Sequence, residues 1–363
     1  MIVIGVDTHK YSHALCAVDE GTGRVRASRE IKAQEAGHQT AVRWARALDQ
    51  QRVWAIEDCR HVSRRFEQAL LAAGEQVVRV APKMMGASRR GERERGKSDE
   101  VDALAVARAV VKDGSDRFPV AHLDERAMEI RLLSDHREDL LGERTRTQNR
   151  LRWQLLELCP ELETTLTRTA LSRPSTLARV DRRLRAIRAG ARGRIAREQL
   201  RHIRALTRQI NELQSELKAL IVAYRPRLLQ EHGCGTLTAA LLIGHTAGNE
   251  RFRSESCFAR QSGTAPIPCS SGTRTQHRLD RGGDRQLNRA LHTIAIVRAQ
   301  HDPTSREYLA RKHAEGKTDK GALRSLKRYL ARRFWRLLTE PPLPATPIRI
   351  SSTNHANSEQ PLT

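Results

Sequence analysis

Ile2-Val3-Ile4-Gly5-Val6-Asp7 is a short apolar run that closes on an acid, and the reading of the chain works outward from it. It reads as a strand. His13-Ala14-Leu15-Cys16-Ala17-Val18 reads as a second, and Asp19-Glu20-Gly21-Thr22-Gly23 has hairpin-turn chemistry, so 24–31 returns as a third. A helix fits 37–50, a strand 52–57, a helix 61–73 and a strand 76–80. A further helix starts near Ser98, which is placed as N-cap with Asp99 and Glu100 in the first turn. Three meandering strands followed by strand–helix alternation is the order expected of an α/β, RNase H-like domain over residues 1–115. Other α/β folds share parts of that order.

From 125 to 222 the pattern turns helical. Ile130, Leu133, Arg137, Leu140, Arg144, Gln148, Leu151, Leu155, Leu158 and Leu162 approximate one a/d seam. Leu200, Ile203, Leu206, Ile210, Leu213, Leu217 and Leu220 form another. The Arg-rich stretch 181–197 lies between them, so two long helices joined by a basic connection are expected. A coiled-coil arm and a helical hairpin packed on the domain both fit, and the arm is the expectation. Residues 233–338 form a third, mainly helical unit, with helices at 284–300 and 319–338. The proline-rich segment 339–363 reads as a disordered tail.

The chain has 363 residues, with 65 Lys plus Arg against 42 Asp plus Glu, a formal charge of +23. At roughly 100–200 residues per domain, that length holds two or three domains. The excess of positive charge points to a polyanion, because phosphate contacts release counterions. Aromatics make up only 4%, which argues against holding single strands mainly by base stacking. No apolar stretch approaches a membrane span, and the start lacks the basic and apolar regions of a signal peptide. The six cysteines form no CxxC or zinc spacing and fit a reducing cytosol.

Two constellations carry chemistry. Asp7 and Glu57 each end a predicted strand, and in an RNase H-like sheet those ends lie side by side. Asp99 and Asp102, three apart, share one helix face. Asp58 would point away from Glu57 by strand alternation. Four converging carboxylates are hard oxygen donors that suit Mg²⁺ or Mn²⁺ and a phosphodiester. Each acid alone also has an ordinary explanation as a turn residue, a solvated strand end or a helix-dipole partner.

The second constellation runs from Gly263 through Cys269-Ser270-Ser271-Gly272 to Gly282-Gly283-Asp284 and Leu287-Asn288-Arg289. A serine beside glycine can be approached closely by a phosphate, which Arg274, Arg278, Arg281 and Arg285 could hold. A serine needs activation to attack phosphorus, and no adjacent His/Asp pair supplies it. A loop serine capping a helix is the plainer alternative.

Taken together, these motifs resemble the DEDD transposase family of bridge-RNA-guided insertion-sequence recombinases, the insertion-sequence one-ten and eleven-eleven group. The resemblance spans nearly the whole chain to about 338. It implies a RuvC-like domain in which Asp7, Glu57, Asp99 and Asp102 bind Mg²⁺ or Mn²⁺. It also implies a C-terminal transposase domain whose serine before glycine, Ser271 with Ser270 as fallback, joins covalently to DNA. Donor and target DNA and an element-encoded guide RNA are the implied partners. Acids of one subunit would meet the serine of another in a dimer or tetramer. The Arg-rich stretches 89–97, 182–197 and 324–336, including Arg328 and Arg332, are candidate backbone contacts. Ala81-Pro82 and Asp284 depart from the Asn-Pro and Asn common in the family, which bears only on the subgroup. The rival readings are a RuvC-like nuclease that uses water, and a nucleic-acid-binding protein with vestigial acids.

Overall fold

The computed structural model describes residues 1–57, 60–80, 98–122, 124–187, 190–246, 252–269, 277–280 and 282–340. Its N-terminal part is a five-stranded sheet of order β3-β2-β1-β4-β5, with β1 Ile2–Thr8, β2 Ser12–Asp19, β3 Val25–Lys32, β4 Arg52–Glu57 and β5 Val77–Val80. The pairs β1–β2 and β2–β3 are antiparallel, and β1–β4 and β4–β5 are parallel, which is the RNase H-like arrangement. Helices α1 Glu35–Leu48 and α2 Arg60–Ala72 supply the crossovers, and α3 Asp99–Asp113 follows β5 in sequence. The observed boundaries lie within two residues of those expected from sequence.

Alternation along the strands sorts the core into two layers. Ile2, Ile4, Val6, Leu15, Trp54 and Ile56 pack with Ala41, Val42 and Ala45 of α1 and Phe66 and Leu70 of α2. Val3, Cys16, Val18, Val53, Ala55, Val78 and Val80 pack with Ala103, Val106, Ala107 and Val110 of α3 on the opposite face. The central β1 is buried along its whole length, whereas β3 is a largely exposed edge carrying Arg26, Arg29, Glu30 and Lys32. Charge of that kind discourages edge-to-edge pairing. At the hairpin between β2 and β3, the Gly23 N–H donates to the Asp19 carbonyl at 2.8 Å with φ at +68°, a conformation suited to glycine.

Within the first layer, His13 and His38 are 1% and 2% exposed and stack with ring centroids 5.6 Å apart, both against Phe66. Burial, followed by the neighbouring His38 and opposed by a backbone hydrogen bond, pushes His13 down to about 4. A histidine depressed on folding binds its proton more readily in the unfolded chain. Stability therefore falls as pH drops below about 6.5, and the loss is complete below about 4. The expected cost for His13 is about 2 kcal/mol between pH 7 and pH 5. Denaturant titrations at the two pH values measure it, and His13→Phe should flatten the dependence.

Two long helices follow, α4 Glu125–Leu158 and α7 Gly190–Tyr224, each about 50 Å long, packed against one another. Mid-length, their seam is polar: Arg137 donates to Gln214 at 3.1 Å and Arg144 to Thr207 at 3.4 Å. At one end Leu151, Leu155, Leu200 and Ile203 close a small core with Leu177, Val180 and Leu184. Those last three lie on α6 Pro174–Arg185, which is preceded by the short α5 Pro160–Glu163. The stretch 181–197, expected as a basic connection, thus contains the end of one helix and the start of another. Among its arginines, Arg183 pairs with Glu161 at 2.6 Å and Arg185 with Asp181 at 3.0 Å.

At the opposite end, Ala127, Ile130, Leu217, Ile221 and Tyr224 join the core of the C-terminal helices. These are α8 Arg227–Gln230, α9 Thr236–Thr246, α10 Glu255–Gln261, α11 Arg285–His301, α12 Pro303–Ala314 and α13 Asp319–Thr339. Between α10 and α11 a two-stranded hairpin pairs β6 Pro266–Pro268 with β7 His277–Leu279. Residues 341–363 of the expected tail lie outside the described residues. Among the described residues, no helix is long and apolar enough to cross a membrane.

Candidate active site

The first site is built by a close approach. A Cβ on Gly5 would lie 2.0 Å from the Ala103 carbonyl oxygen and 2.5 Å from the Ala107 nitrogen, so only glycine lets α3 cross β1 there. The small residues Ala103 and Ala107 complete the contact. Ser98 caps α3, its hydroxyl accepting from the Val101 N–H at 3.3 Å, and fixes where the helix begins. The first turn of α3, carrying Asp99 and Asp102, is thereby held beside the end of β1 that carries Asp7.

Asp7 is buried, and so is Asp102, whereas the Asp99 side chain is 58% exposed. His9 Nε2 lies 3.1 Å from Asp7 Oδ2 and 3.2 Å from Asp99 Oδ1. Glu57, half-buried, is the last residue of β4. The register Val6↔Ile56 carries Asp7 and Glu57 onto neighbouring positions. Both fall on the α3 face by alternation, in phase with Val3, Val53 and Ala55. Asp58 lies outside the described residues. Burial raises the Asp7 carboxyl above its ordinary value. His9 opposes that shift, while the charges of Asp102 and Asp99 add to it.

Among the described residues, Asp7, His9 and Asp99 have ligand atoms within 4.8 Å of one another. This donor set, with Asp102 beside it, fits a divalent cation. The site holds a buried carboxylate among other carboxylates, and a cation would offset the burial and, after it, the repulsion that raise Asp7. His9 was not singled out by its sequence position, although an Asp-x-His spacing at the end of a strand places both side chains on one face.

The second constellation is only partly described. Ser270, Ser271, Arg274 and Arg281 lie outside the described residues, as does the basic stretch 89–97. The frame that brackets the serines is clear: β6 and β7 pair Pro268 with His277 on either side of that segment. Beneath them, Asn288 donates to the carbonyls of Ser262 and Gly263 at 2.8 and 3.1 Å and accepts from Lys327 Nζ at 2.6 Å. A Cβ on Gly283 would meet the Gly263 nitrogen at 2.3 Å, so this glycine permits two loops to touch. Asp284 caps α11 through the N–H groups of Gln286 and Leu287, and its other oxygen takes His245 Nδ1 at 2.9 Å. Burial pushes the Asp284 carboxyl up, but His245 and those backbone donors outweigh it and hold the group below its ordinary value. Sequence spacing offers no His/Asp pair next to the serines. The His245–Asp284 pair itself joins residues 39 positions apart.

A groove of about 1270 Å³ runs along this frame, lined by Arg278, Arg285, Arg289, Lys320, Arg324 and Lys327, with Asp280 as a carboxylate among them. Burial, followed by the nearby Arg324, pushes Lys327 down to about 8. Arg328 and Arg332 stand in a neighbouring groove, where Glu255 pairs with both at 2.6 and 2.9 Å. Their charge is already partly neutralised, so Arg278 and Arg285 are the better placed of the four described arginines expected to contact a phosphate.

Comparison with known proteins finds matches over the stretches of chain that contain both constellations. A transposase family model for DEDD enzymes of the IS110 type matches residues 4–160, and the transposase IS116/IS110/IS902 family model matches residues 225–310. An insertion element IS116 protein of Streptomyces clavuligerus is 27% identical, with 96% of this chain and 97% of the relative covered. An insertion element IS110 protein of Streptomyces coelicolor is 29% identical over 64% of this chain and 68% of its own length. An insertion element IS900 protein of Mycobacterium paratuberculosis is 25% identical over 93% and 95%. Among solved structures, Thermus thermophilus RuvC is similar to a third of the chain, at 19% identity, covering 33% of this chain and 100% of RuvC with a TM-score of 0.27. The chain belongs to the IS110/IS116 family of insertion-sequence DNA transposases.

Proposed function

We propose that this transposase exchanges DNA strands through a phosphoserine intermediate, guided by an RNA from its own element, with a divalent ion at Asp7, Glu57, Asp99 and Asp102. The observation that carries the acidic half is the arrangement of Asp7, Asp99 and Asp102 around one strand end, with β4 bringing Glu57 beside them. When bound, Mg²⁺ or Mn²⁺ there supplies charge to the phosphate oxygens. The serine half rests on the resemblance of the Ser270-Ser271-Gly272 motif and on the basic groove beside its frame.

In this reading Ser271 Oγ forms a bond to phosphorus, and the P–O bond to the leaving sugar oxygen breaks. The leaving oxygen keeps the electron pair and takes up a proton, while the serine hydroxyl gives one up. The phosphoester energy stays in the serine link, so an incoming hydroxyl can reverse the step and rejoin a different strand. Arg278 and Arg285 hold the strand by its phosphates. Base pairing of the guide RNA selects donor and target, which leaves the protein to bind backbone and shape. We further propose that the long helices α4 and α7 contribute to a dimer or tetramer, in which the acids of one subunit act with the serine of another.

The test incubates purified protein with Mg²⁺, the element's flanking RNA and paired DNA, and resolves products on denaturing gels. A protein–DNA adduct retained in Ser270→Ala and lost in Ser271→Ala is the expected result. Cleaved DNA with free ends and no adduct in any variant would replace this reading with a nuclease that uses water.

A further inference from the structure

We propose that His9 is itself a ligand of the divalent ion and biases the site toward Mn²⁺ over Mg²⁺. The inference rests on the reading of the acids as a metal site. His9 sits in the turn after β1, where its N–H donates to the Ser12 carbonyl at 3.0 Å. Two residues beyond Asp7 along an extended chain, it shares the face on which Asp7 lies. That placement sets Nε2 between two carboxylate oxygens, 3.1 Å from Asp7 and 3.2 Å from Asp99.

One ring nitrogen carries at most one proton, so it cannot give a full hydrogen bond to both oxygens at once. A cation accepted by all three atoms satisfies the two carboxylates and the nitrogen lone pair together. The spread of 4.8 Å or less between the three ligand atoms allows this. Among the described residues, no lysine or arginine pairs with Asp7 or Asp99, so their charge is not already neutralised by a basic side chain. The His9 and Asp99 side chains are about half exposed, which leaves one side of the cluster open to waters and phosphate oxygens.

An imidazole nitrogen changes which ion the site prefers. Mg²⁺ takes oxygen ligands almost exclusively and dehydrates reluctantly, whereas Mn²⁺, though it also favours oxygen, is a transition-metal ion that accepts an imidazole nitrogen more readily. An Asp-His-Asp set therefore discriminates between them where an all-carboxylate set would do so less.

The experiment uses the full chain without nucleic acid. Mn²⁺ is titrated into wild type, His9→Ala, His9→Gln and Asp7→Asn, and free Mn²⁺ is read by electron paramagnetic resonance. Bound Mn²⁺ is then examined by electron spin-echo envelope modulation for coupling to ¹⁴N. Wild type is expected to show nitrogen coupling that disappears in both His9 variants. Their Mn²⁺ affinity should fall by about tenfold or more, with a smaller loss for Mg²⁺ measured by competition. Mn²⁺ that binds wild type, is lost in Asp7→Asn and shows no nitrogen coupling would overturn the role of His9 and leave the acids as the metal site. Equal, negligible binding by wild type and Asp7→Asn would overturn both.

Discussion

Asp7→Asn is expected to lose metal-dependent strand cleavage by on the order of 10³-fold while raising the Tm of the free protein. The activity loss follows from removing a ligand that positions charge at the reacting phosphate, an effect of several kcal/mol. The stability gain follows from the direction of the Asp7 shift. Its carboxyl is raised first by burial and then by Asp102 and Asp99, against the opposing pull of His9, so folding penalises the charged form. A carboxyl with a raised value in the folded state makes the native protein less stable as pH rises through that value. Asparagine keeps the shape and removes the charge, so the difference in Tm should be present at pH 7 and shrink on acidification. Thermal melts across pH, paired with cleavage assays, measure both effects. A variant that keeps cleavage, or melts lower at pH 7, contradicts the role given to Asp7. Function bought with strain of this kind is common where charges must converge.

Gly5→Ala should unfold or badly weaken the N-terminal domain, at a cost of about 3 kcal/mol or more. The atoms that a Cβ would strike, the Ala103 carbonyl oxygen and the Ala107 nitrogen, are backbone and cannot rotate away. To accommodate the methyl group, α3 must lift from β1, and Asp99 and Asp102 would move with it. Loss of cleavage should therefore accompany the loss of stability. Gly235→Ala is the control for collision: a Cβ there meets nothing within 4 Å, so the change should cost no more than the loss of a glycine at the start of α9, about 1 kcal/mol or less. Denaturant midpoints of the two variants separate a specific collision from a general effect of removing glycine.

The strands and helices of residues 1–80 were legible because each carries its own signal, apolar runs for β1 and β4 and glycine-rich turn chemistry after β2. The Ser98 cap was equally plain, since a cap is a local hydrogen bond. Gly5 was not legible as a contact, because its neighbours Ala103 and Ala107 lie about a hundred positions away. The hairpin of β6 and β7 was missed for a physical reason: each strand has three residues, and Pro266 and Pro268 argue against a strand from composition alone. Helix α6 hid behind its arginines, although Leu177, Val180 and Leu184 carry a helical spacing that its charge count obscured. Asp302, which caps α12 ahead of Pro303, was a readable start signal that went unused.

The candidate site divides in the same way. Strand ends and helix starts pointed to Asp7, Glu57, Asp99 and Asp102, because an acid at the end of an apolar run is visible without a partner. His9 lies two residues beyond the quoted Ile2–Asp7 run, and its contact with Asp99 depends on where α3 lands. The pair of His245 and Asp284 and the chain from Lys327 through Asn288 to Gly263 both join distant segments. Arg328 and Arg332 read as free cations from composition, but Glu255, more than seventy positions earlier, binds both.

The most direct test of the central claim mixes two inactive proteins. Asp7→Asn lacks a working acidic site, and Ser271→Ala lacks the nucleophile, so neither alone should form a protein–DNA adduct with flanking RNA, paired DNA and Mg²⁺. When the two are combined, with one carrying a size tag, adduct should return and should appear on the Asp7→Asn chain, whose serine is intact. Adduct formed by Ser271→Ala alone, or no recovery on mixing while wild type is active, would contradict a site shared between subunits through Ser271.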